Sequence, residues 1–158
     1  MLPDSLEPLQ VAIERGLRLR LFVSFWLEVG ALADAAVTEI ELPRGANVFF
    51  GYDFETYTDE TCTIGHPIVW VGRSRTARTL TWRGDRQTET ISVTPPSQGG
   101  DVLHDRVVLF RREGSAFSMT VVDAQSAEHT EWKQRSKRKS TVFRLGDATV
   151  RSRRCGVF

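Results

Sequence analysis

The stretch RVVLFRREGSAFSMTVVD, residues 106–123, determines the fold class that the sequence predicts. Two runs rich in Val and Phe, DRVVLFRR and AFSMTVVD, flank the residues Glu113, Gly114 and Ser115. A short loop that contains glycine between two such runs is typical of a β-hairpin. The stretch therefore predicts two antiparallel strands.

Similar runs lie on both sides of this hairpin, separated by turn residues. They are VTEIEL, NVFFGYDF, PIVWV, RTLTW, TETISV, STVFRL and ATVRS. The alternation of Leu and Arg over 17–21 in LRLRLFVSFWLEV also favours a strand, and Gly146 with Asp147 is a second hairpin signal. The pattern predicts a mainly β fold, a sandwich or partly open barrel of about nine or ten short strands.

The N-terminal segment has a different pattern, which predicts a short helix over 1–16. Asp4 or Ser5 can cap this helix, Glu7 has the spacing of a capping-box acid, and Gly16 would end it. A chain of 158 residues predicts a single β-rich domain, 1–158. Its two cysteines, Cys62 and Cys155, are too few for a disulfide-scaffolded domain, although they could form one bridge.

The sequence shows no targeting or membrane segment. The N-terminus MLPDSLEPLQ is acidic and lacks the basic and apolar regions of a signal peptide. The most apolar stretch, LRLRLFVSFWLEVGALADAAV, is interrupted by charged residues. We therefore expect a cytoplasmic protein with no membrane partner.

Charge is unevenly distributed along the chain, although the net charge is only +1. Residues 31–61 contain seven acids and one base, whereas residues 133–154 contain nine bases and one acid. Such asymmetry indicates a polyanionic partner. In the alternative, the acidic and basic segments neutralise each other within the fold.

A basic run that contains every lysine of the chain lies in a polar stretch, 124–139, which we predict to be a long surface loop. Its bases are predicted to bind phosphates, and they are Lys133, Arg135, Lys137, Arg138 and Lys139. Trp132, flanked by charges, is predicted to stack on an exposed base, whereas the other aromatic residues are expected in the core. Alternatively, the run protects a sheet edge from aggregation.

A second basic segment, GRSRTARTLTWRGDR, is rich in arginine. Arg73, Arg75 and Arg78 crowd a predicted turn before a strand, and Arg83 and Arg86 crowd the turn after it. Arginine suits phosphates and guanine edges, so we expect phosphate contacts here and a base-reading role for Arg83 or Arg86. In the alternative, these arginines pair with the acidic segment.

Signals for catalysis are weak. Asp123, Glu131 and Lys133 are only broadly similar to the carboxylate and lysine pattern of Mg²⁺-dependent nucleases. No zinc-binding spacing, calcium loop, phosphate loop or dinucleotide-binding motif is present. The sequence thus predicts no cofactor, no metal site and no catalytic residues.

Three hypotheses follow for the function. The first is a non-catalytic module that binds DNA or RNA through the two basic segments. The second is a protein-interaction or self-assembly domain whose acidic and basic faces meet a partner or another copy. The third is a small Mg²⁺-dependent nuclease.

Overall fold

The computed structural model describes residues 9–32, 37–53, 59–145 and 153–158. Within them the chain is mainly β. The helices are α1 (Leu9–Arg20), α2 (Ala46–Phe49) and α3 (Ala127–Arg138), with a 3₁₀ turn at Pro96–Gln98. The strands are β1 (Ser24–Glu28), β2 (Glu39–Leu42), β3 (Cys62–Gly65), β4 (Ile68–Val71), β5 (Ser74–Ala77), β6 (Leu80–Arg83), β7 (Thr88–Ser92), β8 (Arg106–Glu113), β9 (Ala116–Asp123), β10 (Val142–Leu145) and β11 (Arg153–Val157).

The strands form two sheets in a sandwich-like arrangement, which confirms the predicted fold class. The larger sheet has the order β10-β11-β1-β8-β9-β4-β5, and the smaller one has the order β2-β7-β6-β3. Neither is closed into a barrel. All neighbours pair antiparallel except β4 and β9, which are parallel.

The hairpin that the sequence predicts most clearly is the longest pairing in the large sheet. β8 and β9 pair without a register shift from Arg106 opposite Asp123 to Glu113 opposite Ala116. The connecting turn is therefore Gly114 and Ser115, one residue shorter than predicted. Gly114 has a φ of 64°, a conformation that favours glycine at the first position of a tight hairpin turn.

The main core lies between the two sheets. Buried side chains from the large sheet, such as Phe25 and Phe110, pack in one cluster with Ile40 and Ile91 from the small sheet. We call the face of the large sheet that lines this core its inner face, and the opposite one its outer face. Successive side chains of a strand alternate between the two faces.

The helix predicted over 1–16 extends further, and the strand predicted over 17–21 is wrong. α1 continues through Gly16 to Arg20. The buried residues recur at helical spacing, and they are Ala12, Arg15, Gly16 and Leu19. Leu17 and Leu21, which suggested alternation, are exposed. The capping residues predicted at Asp4, Ser5 and Glu7 lie outside the described residues.

Gly16 serves close packing rather than helix termination. A Cβ atom at Gly45 would lie 2.5 Å from the carbonyl oxygen of Ala12 and 3.2 Å from the backbone nitrogen of Gly16. The chain that leads into α2 therefore touches the backbone of α1 at this point. Gly45 itself has a φ of 93°, a left-handed conformation that other residues rarely adopt.

The strand predicted for NVFFGYDF is also wrong, because its first half forms α2. The buried carboxylate of Glu89 accepts hydrogen bonds from the backbone N–H groups of Gly45 and Asn47. These N–H groups lie at the start of α2, where no intrahelical partner exists for them. A contact from β7 thus stabilises one helical turn in an aromatic stretch.

The loop predicted over 124–139 is wrong, since residues Ala127–Arg138 form α3. Ser126 caps the helix by accepting a hydrogen bond from the N–H of His129 at 3.2 Å. Its buried residues, His129, Trp132 and Ser136, recur at helical spacing. Two of these three are polar, so the apolar pattern of an amphipathic helix is weak in the sequence.

Two further features complete the fold. The thiols of Cys62 and Cys155 are not joined, Cys62 being exposed and Cys155 buried. Within the described part of the chain, no helix combines the length and apolar character that crossing a membrane requires. The turn predicted at Gly146 and Asp147 and the strand predicted for ATVRS lie outside the described residues.

Candidate nucleic-acid interface

α3 is fixed to the outer face of the large sheet by a small apolar cluster and a hydrogen-bond chain. Trp132 packs there against Trp26 and Val107, with 8% of its surface exposed. The indole N–H of Trp26 donates to Oγ of Ser136 at 2.8 Å, and this hydroxyl donates to the carbonyl of Val157 at 3.0 Å. The stacking role predicted for Trp132 therefore does not fit its buried position.

A charged cluster holds the other end of α3. The Glu28 carboxylate accepts hydrogen bonds from Nε and Nη2 of Arg154 at 3.3 and 3.2 Å, and it lies 3.3 Å from Nε2 of His129. Burial opposes ionisation of Glu28, but the interactions with His129 and Arg154 outweigh it and lower its pKa from 4.5 to about 2. Glu28 is therefore an anion that links β1, β11 and α3.

The lysine-bearing run lies on the exposed side of this anchored helix, next to the end of α1. Nη2 of Arg18 donates to the carbonyls of Lys139 and Ser140 at 3.2 and 3.3 Å, so the ends of α1 and α3 are in contact. We call the exposed bases of these two ends the helix-end patch. It consists of Arg18, Arg20, Arg135, Lys137, Arg138 and Lys139. Lys133 lies one turn earlier on α3 and is half-buried.

No base of the helix-end patch forms an ion pair with a carboxylate among the residues that the structure describes. Other arginines differ in this respect, since Arg106 pairs with Asp123 at 3.0 Å and Arg154 pairs with Glu28. Among the described residues, the patch is thus a local concentration of positive charge without carboxylate partners, on a chain whose net charge is +1.

Arg83 and Arg86 are held by an acid of the small sheet. Both bind Glu39, at 2.5 and 3.0 Å. Burial tends to raise the pKa of Glu39, but its interactions with Arg83, Thr90 and Arg86 lower it overall. The hydrogen bond to Glu39 in turn raises the pKa of Arg83. For these two arginines the structure matches the alternative that the sequence left open, neutralisation by the acidic segment.

The other three arginines of the second basic segment, Arg73, Arg75 and Arg78, lie in different places in and around β5. The predicted turn contains β5, and Arg75 in this strand lies on the outer face. Arg78 instead lines a cavity of about 260 Å³ at the inner side of the same edge, where its Nη1 donates to Oγ1 of Thr94 at 2.8 Å. Burial lowers the pKa of Arg78. Arg73 is exposed in the turn between β4 and β5.

Trp70 on β4 is the tryptophan that reaches solvent. It is 37% exposed, and the Arg75 guanidinium carbon lies 5.2 Å from its ring centroid. Its neighbours Val69 and Val71 pack against the core, so Trp70 points to the outer face. The core position expected for Trp70 is therefore wrong, because successive side chains of a strand point to opposite faces of the sheet.

The residues of the nuclease hypothesis are not arranged for that chemistry. Asp123, at the end of β9, forms an ion pair with Arg106. Glu131 and Lys133 lie two residues apart on α3, and such residues do not face each other on a helix. Within the described ranges, no three His, Cys, Asp or Glu side chains cluster closely enough to hold a metal ion.

The arrangement as a whole offers positive charge and aromatic surface on one side of the large sheet. Arg135 connects the two, because its guanidinium carbon lies 4.3 Å from the ring centroid of Phe158 while its charge belongs to the helix-end patch. Arg18, Arg20, Trp70 and Phe158 were not predicted as site residues. No family model, curated protein or solved structure matches this chain.

Proposed function

We propose that this protein is a nucleic-acid-binding module that holds phosphates with the helix-end patch. The observation that supports this proposal is the set of six exposed bases at the meeting ends of α1 and α3, without carboxylate partners among the described residues. Phosphates bind such a surface by neutralising its charge and releasing counterions.

The anchoring of α3 supports the proposal further. The helix is fixed at Trp26 and Glu28, so its bases project from a formed surface and do not need a loop to become ordered first. Less conformational entropy is then lost when a ligand binds. The bases of the last turn also stabilise α3 through its dipole, by about 0.3–1 kcal/mol each, but this effect does not require six bases on two helices.

The protein-interaction hypothesis is less well supported by the described contacts. It needs acidic and basic faces that are open to a partner. Glu39 already binds Arg83 and Arg86, and Glu41 lies 3.9 Å from Arg153. Part of the acidic segment is therefore neutralised within the chain, whereas the helix-end patch has no carboxylate partner in the part of the chain that the structure describes.

A matched pair of double variants tests the proposal. Lys137→Gln with Arg138→Gln removes two charges from the helix-end patch, and Arg83→Gln with Arg86→Gln removes two charges that Glu39 already neutralises. Glutamine has a helix propensity close to that of lysine and arginine, so α3 should be retained. Binding to a fluorescent oligothymidylate of about 12 nucleotides is measured by anisotropy at about 50 mM salt.

We expect only the first variant to bind more weakly. The logarithm of the binding constant falls by about 0.7 per bound phosphate for each tenfold rise in salt concentration. Between about 50 mM and 1 M salt, one bound phosphate therefore accounts for about an eightfold change in affinity, so losing two phosphates should weaken binding about 60-fold. Equal weakening by both variants would mean that net charge matters and the patch does not. If the parent protein binds neither single-stranded nor duplex DNA at this salt, the proposal is wrong; self-association of the parent would then favour the second hypothesis.

A further inference from the structure

The outer face of the large sheet is covered by α3 over only part of its width. The covered part includes Val107, Leu109 and Val122, which pack in the cluster around Trp26 and Trp132. Towards β4 and β5 the outward side chains are exposed. Arg111 has a 59% exposed side chain, and Trp70 and Arg75 also reach solvent.

Strand pairing aligns these exposed residues in one row across the sheet with Ser118 and Phe158, which are half-buried, and with Ser24, which is buried. Trp70 is opposite both Arg75 and Ser118, Ser118 is opposite Arg111, and Arg111 is opposite Ser24. Ser24 and Phe158 exchange two backbone hydrogen bonds of 3.0 Å each. Directly paired residues project from the same face. We call these residues the outer-face row, and they are Arg75, Trp70, Ser118, Arg111, Ser24 and Phe158.

The side chains of the outer-face row provide aromatic surface and positive charge, and both suit the binding of an unpaired nucleotide chain. Trp70 offers an aromatic surface for a base, and the small side chain of Ser118 leaves room beside it. Positive charge lies on either side of Trp70, from Arg75, whose guanidinium carbon is 5.2 Å from the ring centroid, and from Arg111, whose Nε is 4.0 Å from the Glu113 carboxylate. Arg135 lies over Phe158 at the other end. Six strands at a spacing of about 4.8 Å give a path of about 24 Å.

We propose that the outer-face row binds single-stranded nucleic acid, with one unpaired base stacked on Trp70 and the chain crossing the strands towards Arg135 and the helix-end patch. This inference rests on the proposed function and adds the class of nucleic acid. In a duplex the faces of the bases are stacked on one another, so a flat aromatic surface of this kind selects unpaired bases.

The test compares Trp70→Ala, Trp70→Phe and a control, Val102→Ala, which shortens another exposed apolar side chain. Anisotropy is measured with oligothymidylate, oligouridylate and a DNA duplex, each of about 12 residues or base pairs. Circular dichroism checks that each variant is folded. Quenching of tryptophan fluorescence by the oligonucleotide is a second measurement, and Trp70→Phe should abolish most of it.

We expect Trp70→Ala to weaken binding of both single strands by about 5- to 150-fold, the range that corresponds to 1–3 kcal/mol per stacked base. Trp70→Phe should weaken binding less, and Val102→Ala should not weaken it. The salt dependence should not change, since no charge is removed. The relative affinities of the two single strands distinguish DNA from RNA.

Two results would overturn the inference and leave the proposed function intact. One is a Trp70→Ala variant that binds single strands as the parent does. The other is a parent that binds the duplex as tightly as the single strands. A parent that binds no nucleic acid at all contradicts the proposed function itself.

Discussion

Replacing Glu28 with glutamine tests how α3 is held against the sheet. The side chain of Glu28 is 18% exposed and contacts both His129 on α3 and Arg154 on β11. Glutamine keeps the shape but removes the negative charge. Arg154, whose side chain is 36% exposed, would then lose its anion, and His129 would lie beside a neutral amide.

The expected loss of stability follows from the pKa of Glu28. That pKa is 4.5 ordinarily and about 2 in the folded protein. At 1.36 kcal/mol per pKa unit, the difference corresponds to about 3.4 kcal/mol of folding free energy near pH 7. Because the folded pKa is the lower one, this contribution is complete above about pH 4.5 and is lost as the pH falls towards 2. Near pH 3 about 1.4 kcal/mol remains.

Urea unfolding of the parent and of Glu28→Gln at both pH values measures this contribution. The difference in unfolding free energy should be up to about 3.4 kcal/mol near pH 7 and should shrink by more than half near pH 3. Glu131→Gln, which removes an exposed carboxylate from α3, is the control and should change stability by less than about 0.5 kcal/mol. A difference for Glu28→Gln that is small, or equal at both pH values, would refute the assigned role of this ion cluster.

Two further substitutions test the packing of the helices. Ser136→Ala should lower the unfolding free energy by about 1–3 kcal/mol, because it leaves the buried N–H of Trp26 without its acceptor; an unchanged urea midpoint would contradict the hydrogen-bond chain. Gly45→Ala should destabilise by more than about 1 kcal/mol, because φ is 93° and the new Cβ would lie 2.5 Å from the carbonyl oxygen of Ala12; a stabilised variant would show that α1 and α2 pack differently.

Many of the strands were predictable from the sequence because their signals are local, although the strand predicted for NVFFGYDF is wrong and β5 lies where the sequence predicts a turn. In the 106–123 hairpin, alternation and a glycine turn agree with the register that the structure shows. The C-terminal half of α1 was not predictable in this way. Its Leu and Arg residues alternate by chance, and the burial of Arg15 and Gly16 depends on contact with the segment around Gly45.

The candidate site was only partly predictable for the same reason. The bases of α3 stood out as a charged run, but the helix that displays them is buried through His129 and Ser136, polar residues whose partners lie on distant strands. The burial of Trp132 and of Trp70 was predicted the wrong way round. Charged neighbours suggested that Trp132 is exposed and apolar neighbours suggested that Trp70 is buried, whereas helix and strand periodicity set the opposite orientations.

The salt dependence of nucleic-acid binding is the decisive measurement for the helix-end patch. Affinity for an oligothymidylate is measured between about 50 and 200 mM salt for the parent and for a variant in which Arg135, Lys137, Arg138 and Lys139 are glutamine. We predict weaker binding and a log–log slope that flattens by about 0.7 for each phosphate that the variant no longer binds. A variant with unchanged affinity and unchanged slope would contradict the proposal that these bases bind phosphates.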